Sequence, residues 1–112
     1  MLNQIEDEIA EIRSRAKTLL EEYQRLKCLE KSEELKKYGL SDGDTVMYRH
    51  PFGDKYVEDR CRIEVSVREC DSFYSEGIIK LRPYKKDGGL ASRAFNAYGY
   101  EFEEGNVRRF VY

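Results

Sequence analysis

The first 38 residues of the chain place apolar side chains at alternating steps of three and four, with no glycine or proline before Gly39. A repeat of about 3.5 residues on a helix of about 3.6 residues per turn forms a narrow seam that two supercoiled helices can share. The spacing predicts a helix with four heptads of filled a and d positions: Leu2, Ile5, Ile9, Ile12, Ala16, Leu19, Tyr23 and Leu26.

Both ends of this helix carry sequence signals. Asn3 is a predicted N-cap, and Glu6 three residues later completes a capping box. Gly39 fits the left-handed C′ position, so that Leu40 would contact Leu35 as in a Schellman motif. A helix this long exceeds what a small β domain can cover. We therefore predict that residues 1–39 form a coiled-coil arm for oligomerisation.

The charges that flank the seam favour a parallel homodimer. In a parallel pair, Glu8 faces Arg13 of the second chain, and Glu22 faces Lys27. A fully overlapped antiparallel pair would instead place Glu8 opposite Glu22. Three alternatives stay open: a higher oligomer, a helix of another protein, or an arm that packs on its own domain without dimerising.

The seam stops after Leu26, because glutamates occupy the next a and d positions. The apolar stripe moves to Cys28, Leu35 and Tyr38. This shift predicts that the helix leaves its partner here and lies on its own β domain. A second short helix that starts at residues 32–34 is the alternative.

The pattern changes to a period of two in residues 40–112, which predicts a small antiparallel β domain. The clearest strand alternates apolar residues with charged ones from Cys61 to Arg68. A loop is expected at residues 50–54, and residues 90–97 are ambiguous, although Ala91, Ala94 and Phe95 would suit a helical turn. The fold class is therefore α+β, a long helix followed by a β-barrel or bent sheet of about five strands, expected near residues 45–48, 61–68, 77–84, 98–103 and 107–112.

Several turn-and-strand cues in this half resemble SH3-like and Tudor-like barrels. They are the Gly43-Asp44-x-Val46 entry, the long second strand, the Lys-Leu-Arg-Pro run at 80–83 and the Asn106-Val107-Arg108 entry to a last strand. The resemblance implies a barrel of about 70 residues. It assigns no ligand residue.

No set of residues points to catalysis or to a metal. The single histidine, His50, could pair with Cys61, but nothing in the sequence supplies an orienting group or a nucleophile motif. Cys28, His50, Cys61 and Cys70 do not have the spacing of a zinc site. The 42–44 Asp-Gly-Asp turn lacks the other ligands of a calcium loop. We predict no catalytic residue, no metal and no cofactor.

Charge and composition limit the partners. Residues 1–38 hold 8 Lys and Arg against 9 Asp and Glu, and residues 39–112 hold 12 against 13, so no chain-wide positive field is available for nucleic acid. No apolar run approaches the roughly 20 residues of a membrane span, and no signal peptide is recognisable. Three cysteines without a CxxC spacing predict reduced thiols in a cytoplasmic protein.

One stretch, residues 80–98, is locally basic and rich in aromatic residues. Basic groups contact phosphates, whereas tyrosine and arginine also anchor protein interfaces. The alternative is a solvated strand face whose aromatic rings belong to the core. The predicted partner-binding residues are Lys80, Arg82, Tyr84, Lys85, Lys86, Arg93, Phe95 and Tyr98.

The sequence thus predicts a non-enzymatic, oligomeric protein–protein interaction module or stoichiometric regulator. One concrete version is a phage- or mobile-element-type inhibitor of a host defence system, such as a CRISPR effector. The alternative is a nucleic-acid-binding regulator that uses residues 80–98.

Overall fold

A computed structural model of the chain describes residues 1–69 and 75–110. One long helix precedes a five-stranded antiparallel sheet, and a short helix separates the last two strands. The elements are α1 (Leu2–Lys36), β1 (Thr45–Phe52), β2 (Lys55–Glu69), β3 (Ser75–Pro83), β4 (Phe95–Ala97), α2 (Gly99–Glu103) and β5 (Val107–Arg109).

The strand order is β4-β3-β2-β1-β5, and the sheet is open. The predicted α+β class is confirmed. A closed SH3-like barrel is not confirmed, because β4 and β5 form the two edges. Strand β2 holds the sheet together: its first half, to Arg62, pairs with β1, and its second half, from Cys61, pairs with β3.

Helix α1 is continuous, so no second helix starts at residues 32–34. The predicted capping box is wrong, because the helix begins at Leu2 with Met1 as N-cap and no side-chain cap bond. Its C-terminal stop is confirmed: the Leu40 N–H donates to the Leu35 carbonyl at 3.1 Å, and Gly39 N–H donates to Lys36 at 3.0 Å. Gly39 has a φ of 71°, as the Schellman motif requires.

The core lies between the C-terminal third of α1 and one face of the sheet, which we call the inner face. The stripe that the sequence shifts towards Leu35 is therefore confirmed as the docked part of the helix. Tyr38 belongs to the same contact, with its ring stacked 5.4 Å from that of Phe102. The fully buried side chains are Leu35, Leu40, Val46, Cys61, Ile63 and Leu81.

Gly77 marks the point where α1 crosses the sheet most closely. A Cβ at this position would lie 2.7 Å from the Lys27 carbonyl oxygen and 2.8 Å from the Lys31 Cγ. The backbone of α1 at Lys27 and the side chain of Lys31 thus lie directly against β3 at Gly77. Residues of α1 before this crossing extend past the sheet, which gives the molecule a long dimension of 68 Å against 29 and 27 Å.

Two sequence predictions of local structure are wrong. The loop expected at residues 50–54 is the end of β1 followed by a tight turn, because Phe52 pairs with Lys55 and Gly53 takes a φ of 63°. The fourth strand expected at residues 98–103 is helix α2. A strand would put Tyr98 and Phe102 on one face, whereas here Phe102 is buried and Tyr98 is 58% exposed.

Gly77→Ala should destabilise the fold, because the added Cβ has no space between β3 and α1. Overpacking of this kind typically costs about 1–3 kcal/mol of unfolding free energy. Urea denaturation of the variant and of wild type measures the difference. Gly99→Ala is the matched control, because nothing lies within 4 Å of a Cβ there. Equal stabilities for the two variants would show that the crossing is not tight.

The Cys61 thiol should make stability fall at high pH. Its Sγ donates to the Asp59 carbonyl at 3.6 Å, and burial raises its pKa from 9.0 to about 12. The unfolded chain releases this proton near pH 9 while the fold retains it, so the contribution is present below pH 9 and is lost towards pH 12. From pH 8 to 10, wild type should lose about 1.4 kcal/mol more than Cys61→Ala in urea titrations.

Comparing the two proteins at each pH cancels the other titrating groups, including Tyr48, whose pKa burial also raises. A stability difference that stays constant from pH 8 to 10 would contradict this account of Cys61.

Candidate functional site

The free arm of α1 exposes the predicted seam to solvent. Exposure of its large apolar side chains runs from 44% at Ile9 to 70% at Leu19. Ala16 is also exposed, and Tyr23 is half-buried, with the Lys27 ammonium 5.5 Å from its ring centroid. Monomeric proteins rarely leave an apolar stripe of this length uncovered. The remaining exposed seam residues are Leu2, Ile5, Ile12 and Leu26.

Charges beside the seam divide into two groups. Some are engaged within the helix: Arg15 lies 2.5 Å from Glu11, and Arg25 pairs with Glu22. Glu8 and Arg13 have no ion pair within the described part of the chain. These last two are therefore the flanking charges most available to a second helix.

The sheet has a second face, turned away from α1, which we call the outer face. Strand register places alternate residues of β1, β2, β3 and β5 on it. This face carries seven basic and three acidic side chains: Arg49, Arg60, Arg62, Arg68, Lys80, Arg82, Arg108, Glu58, Glu64 and Glu76. The excess is local, because the whole chain has a net charge of −2.

Each carboxylate of the outer face is already ion-paired. Glu64 accepts from Arg62 at 2.5 Å and from Arg82 at 2.9 Å, and these two cations hold the pKa of Glu64 below its ordinary value. Glu58 pairs with Arg108. The third carboxylate, Glu76, pairs with Arg68 at 2.7 Å.

Two arginines of the outer face lie over aromatic rings instead. The Arg49 guanidinium is 4.7 Å from the Tyr56 ring centroid. The Arg60 guanidinium lies between two rings, 4.8 Å from Tyr84 and 5.7 Å from Phe110. Such cation–π contacts attract the guanidinium to the ring but supply no negative charge that would neutralise it.

The structure does not bring the predicted stretch 80–98 together as one patch. Lys80, Arg82 and Tyr84 lie on the outer face, and Arg82 also donates to the Ala91 carbonyl at 3.0 Å. The other members are elsewhere: Lys85 and Lys86 are exposed in a turn, Arg93 is exposed before β4, Phe95 packs against the core, and Tyr98 stacks on Tyr100 at the start of α2.

Sequence reasoning missed Arg49, Arg60, Arg62 and Arg108 as members of one surface. The alternation of arginines in β2 was visible in the sequence. The pairing of β2 with β1 and of β1 with β5 was not, and this pairing is what gathers residues from three separate segments.

A buried polar cluster connects β1 to α2 on the inner side. The Tyr48 hydroxyl donates to Glu101 Oε1 at 2.6 Å, and the Tyr98 N–H donates to Glu101 Oε2 at 3.0 Å. Beside it, the His50 ring stacks on Tyr48 at 5.0 Å and contacts Asp59 Oδ2 at 2.6 Å. The bond from Tyr48 to Glu101 holds α2 against the sheet, and the contact of His50 with Asp59 joins β1 to β2, so both have a structural role.

The supposed pair of His50 with Cys61 has no chemical support from the geometry. The His50 imidazole is hydrogen-bonded to Asp59 and not to Cys61. Burial raises the pKa of the Cys61 thiol to about 12, so the thiol keeps its proton at neutral pH. Cys70 lies outside the described residues. Cys28 and Cys61 are free thiols.

Comparison with protein-family models, with curated proteins and with solved structures finds no match for this chain. In the described residues, no helix combines the length and apolar character needed to cross a membrane. No group of three or more metal-ligating side chains occurs within the same residues.

Proposed function

We propose that this protein is a non-enzymatic, self-associating interaction module, in which the free arm of α1 pairs in parallel with the arm of a second copy. The observation that carries the proposal is the exposed seam. Six leucine and isoleucine side chains along one stripe of the arm are between 44% and 70% exposed in the single chain. Full burial of one such side chain is worth about 1.5–3 kcal/mol.

The length of the arm supports a partner helix over a contact within the same chain. The seam from Leu2 to Leu26 spans roughly 37 Å at about 1.5 Å per residue. Its first part lies beyond the crossing at Gly77, where α1 meets β3. The sheet, as far as the described residues show it, therefore leaves this part of the seam exposed.

Charge complementarity supports the parallel orientation. Glu8 and Arg13 would form an attractive pair on each side of a parallel dimer, and all eight seam residues would be used. An antiparallel pair staggered so that Ile9 lies beside Ile12 of the other chain also has attractive contacts, from Glu8 to Arg15. That arrangement leaves the seam beyond Leu19 uncovered, so it buries less apolar surface.

The β domain would then present two copies of its binding faces. Two linked faces gain affinity through effective concentration. The domain is an open antiparallel sheet in which β2 pairs with both β1 and β3. On that basis we retain an SH3-like description of it as part of the proposal. A phage- or mobile-element-type inhibitor of a host defence system remains the narrower prediction.

The double variant Ile9→Asp, Ile12→Asp should be monomeric. Burying charges in the seam carries a desolvation cost that the dimer cannot offset. Light scattering at micromolar concentration should give twice the chain mass of 13.3 kDa for wild type and one chain mass for the variant. Ser14→Asp with Thr18→Asp is the control, because it adds two charges outside the seam. A monomeric wild type would refute self-association.

Charge exchange tests the orientation. Glu8→Lys should weaken the dimer, because it places like charges side by side, and adding Arg13→Glu should restore it in a parallel pair. Each exposed pair contributes about 0.2–1 kcal/mol, so dissociation constants from sedimentation at low salt are the measurement. Restoration by Arg15→Glu instead of Arg13→Glu would show the staggered antiparallel arrangement.

A further inference from the structure

We propose that the outer face of the sheet binds single-stranded nucleic acid. This surface differs from the arm and from the continuous stretch 80–98. It takes only three members of that stretch, Lys80, Arg82 and Tyr84, and combines them with arginines of β1, β2 and β5.

The first support is the segregation of charge by the fold. This surface carries seven basic residues and three acidic ones, although acidic residues outnumber basic ones by two in the whole chain. Polyanion binding depends on local potential and on the number of phosphates contacted, so a local excess suffices. The acidic N-terminal turns of the arm lie outside this face.

The second support is that the positive charge is available. All three carboxylates of this face form ion pairs, and their partners are four of its arginines. Within the described part of the chain, Arg49, Arg60 and Lys80 have no carboxylate within ion-pair distance. They come from three neighbouring strands, which are about 4.8 Å apart, so the cations extend across the sheet.

The third support distinguishes nucleic acid from an acidic protein. The face holds planar groups beside its cations: the Arg49 guanidinium over Tyr56, and the Arg60 guanidinium over Tyr84. Tyr56 is 64% exposed. Unstacked bases bind to aromatic rings and to guanidinium planes, whereas an acidic peptide needs only the charge.

The face is accessible and independent of the proposed dimer. Helix α1 packs on the inner face, at Leu35 and Gly77, and the seam lies along the arm. A monomeric arm variant should therefore retain this binding on a short strand, which separates failure of this inference from failure of self-association.

Fluorescence anisotropy with a labelled oligothymidylate of about a dozen nucleotides tests the inference, since known single-strand sites span about 4–16 nucleotides. Wild type should bind with an affinity that falls steeply with salt. Arg60→Gln with Lys80→Gln should reduce the slope of log K against log salt by about 1.4, because each phosphate contact contributes about 0.7. Tyr56→Ala should weaken binding by about five-fold or more.

Lys36→Gln with Lys37→Gln is the matched control, since it removes two charges from the end of α1 and should leave binding unchanged. Circular dichroism checks that each variant is folded. The inference is overturned if wild type does not bind at low salt, or if the control weakens binding as much as the outer-face variant. It is also overturned if polyglutamate competes equally and Tyr56→Ala has no effect, which would indicate an acidic protein partner.

Discussion

The close contact between α1 and β3 at Gly77 organises the whole molecule. Because the helix backbone rests on the strand, the last third of α1 becomes part of the core, with Leu35 fully buried. The same contact determines where the helix leaves the sheet. Most of the helix before it is an arm whose leucine and isoleucine seam residues are exposed to solvent.

The sheet divides the chemistry of the protein into two faces. The inner face carries the apolar core, beside a buried hydrogen bond in which Glu101 accepts from Tyr48 and holds α2 in place. The outer face collects arginines that are far apart in the sequence, some in ion pairs and some over aromatic rings. Strand β2 contributes to both faces along its length, so its alternation of apolar and charged residues sets the polarity of the sheet.

Local rules predicted the elements whose determinants are local. The Schellman stop at Gly39 and the alternation of β2 follow from short-range geometry, and the structure has both. The predicted strand at residues 98–103 failed for a tertiary reason. Alternating aromatic residues suited a strand, but the segment forms a helical turn in which Glu101 accepts a hydrogen bond from Tyr48, 53 residues earlier in the chain.

The sequence by itself determined a long helix with an apolar seam and an α+β fold, because helical and strand periodicity are properties of neighbouring residues. The tertiary structure decided which third of that helix is buried, that the sheet is open, and that arginines from four strands form one basic surface. Strand pairing and its register determine these features. It depends on pairing between distant segments, and composition or periodicity cannot encode which segments meet.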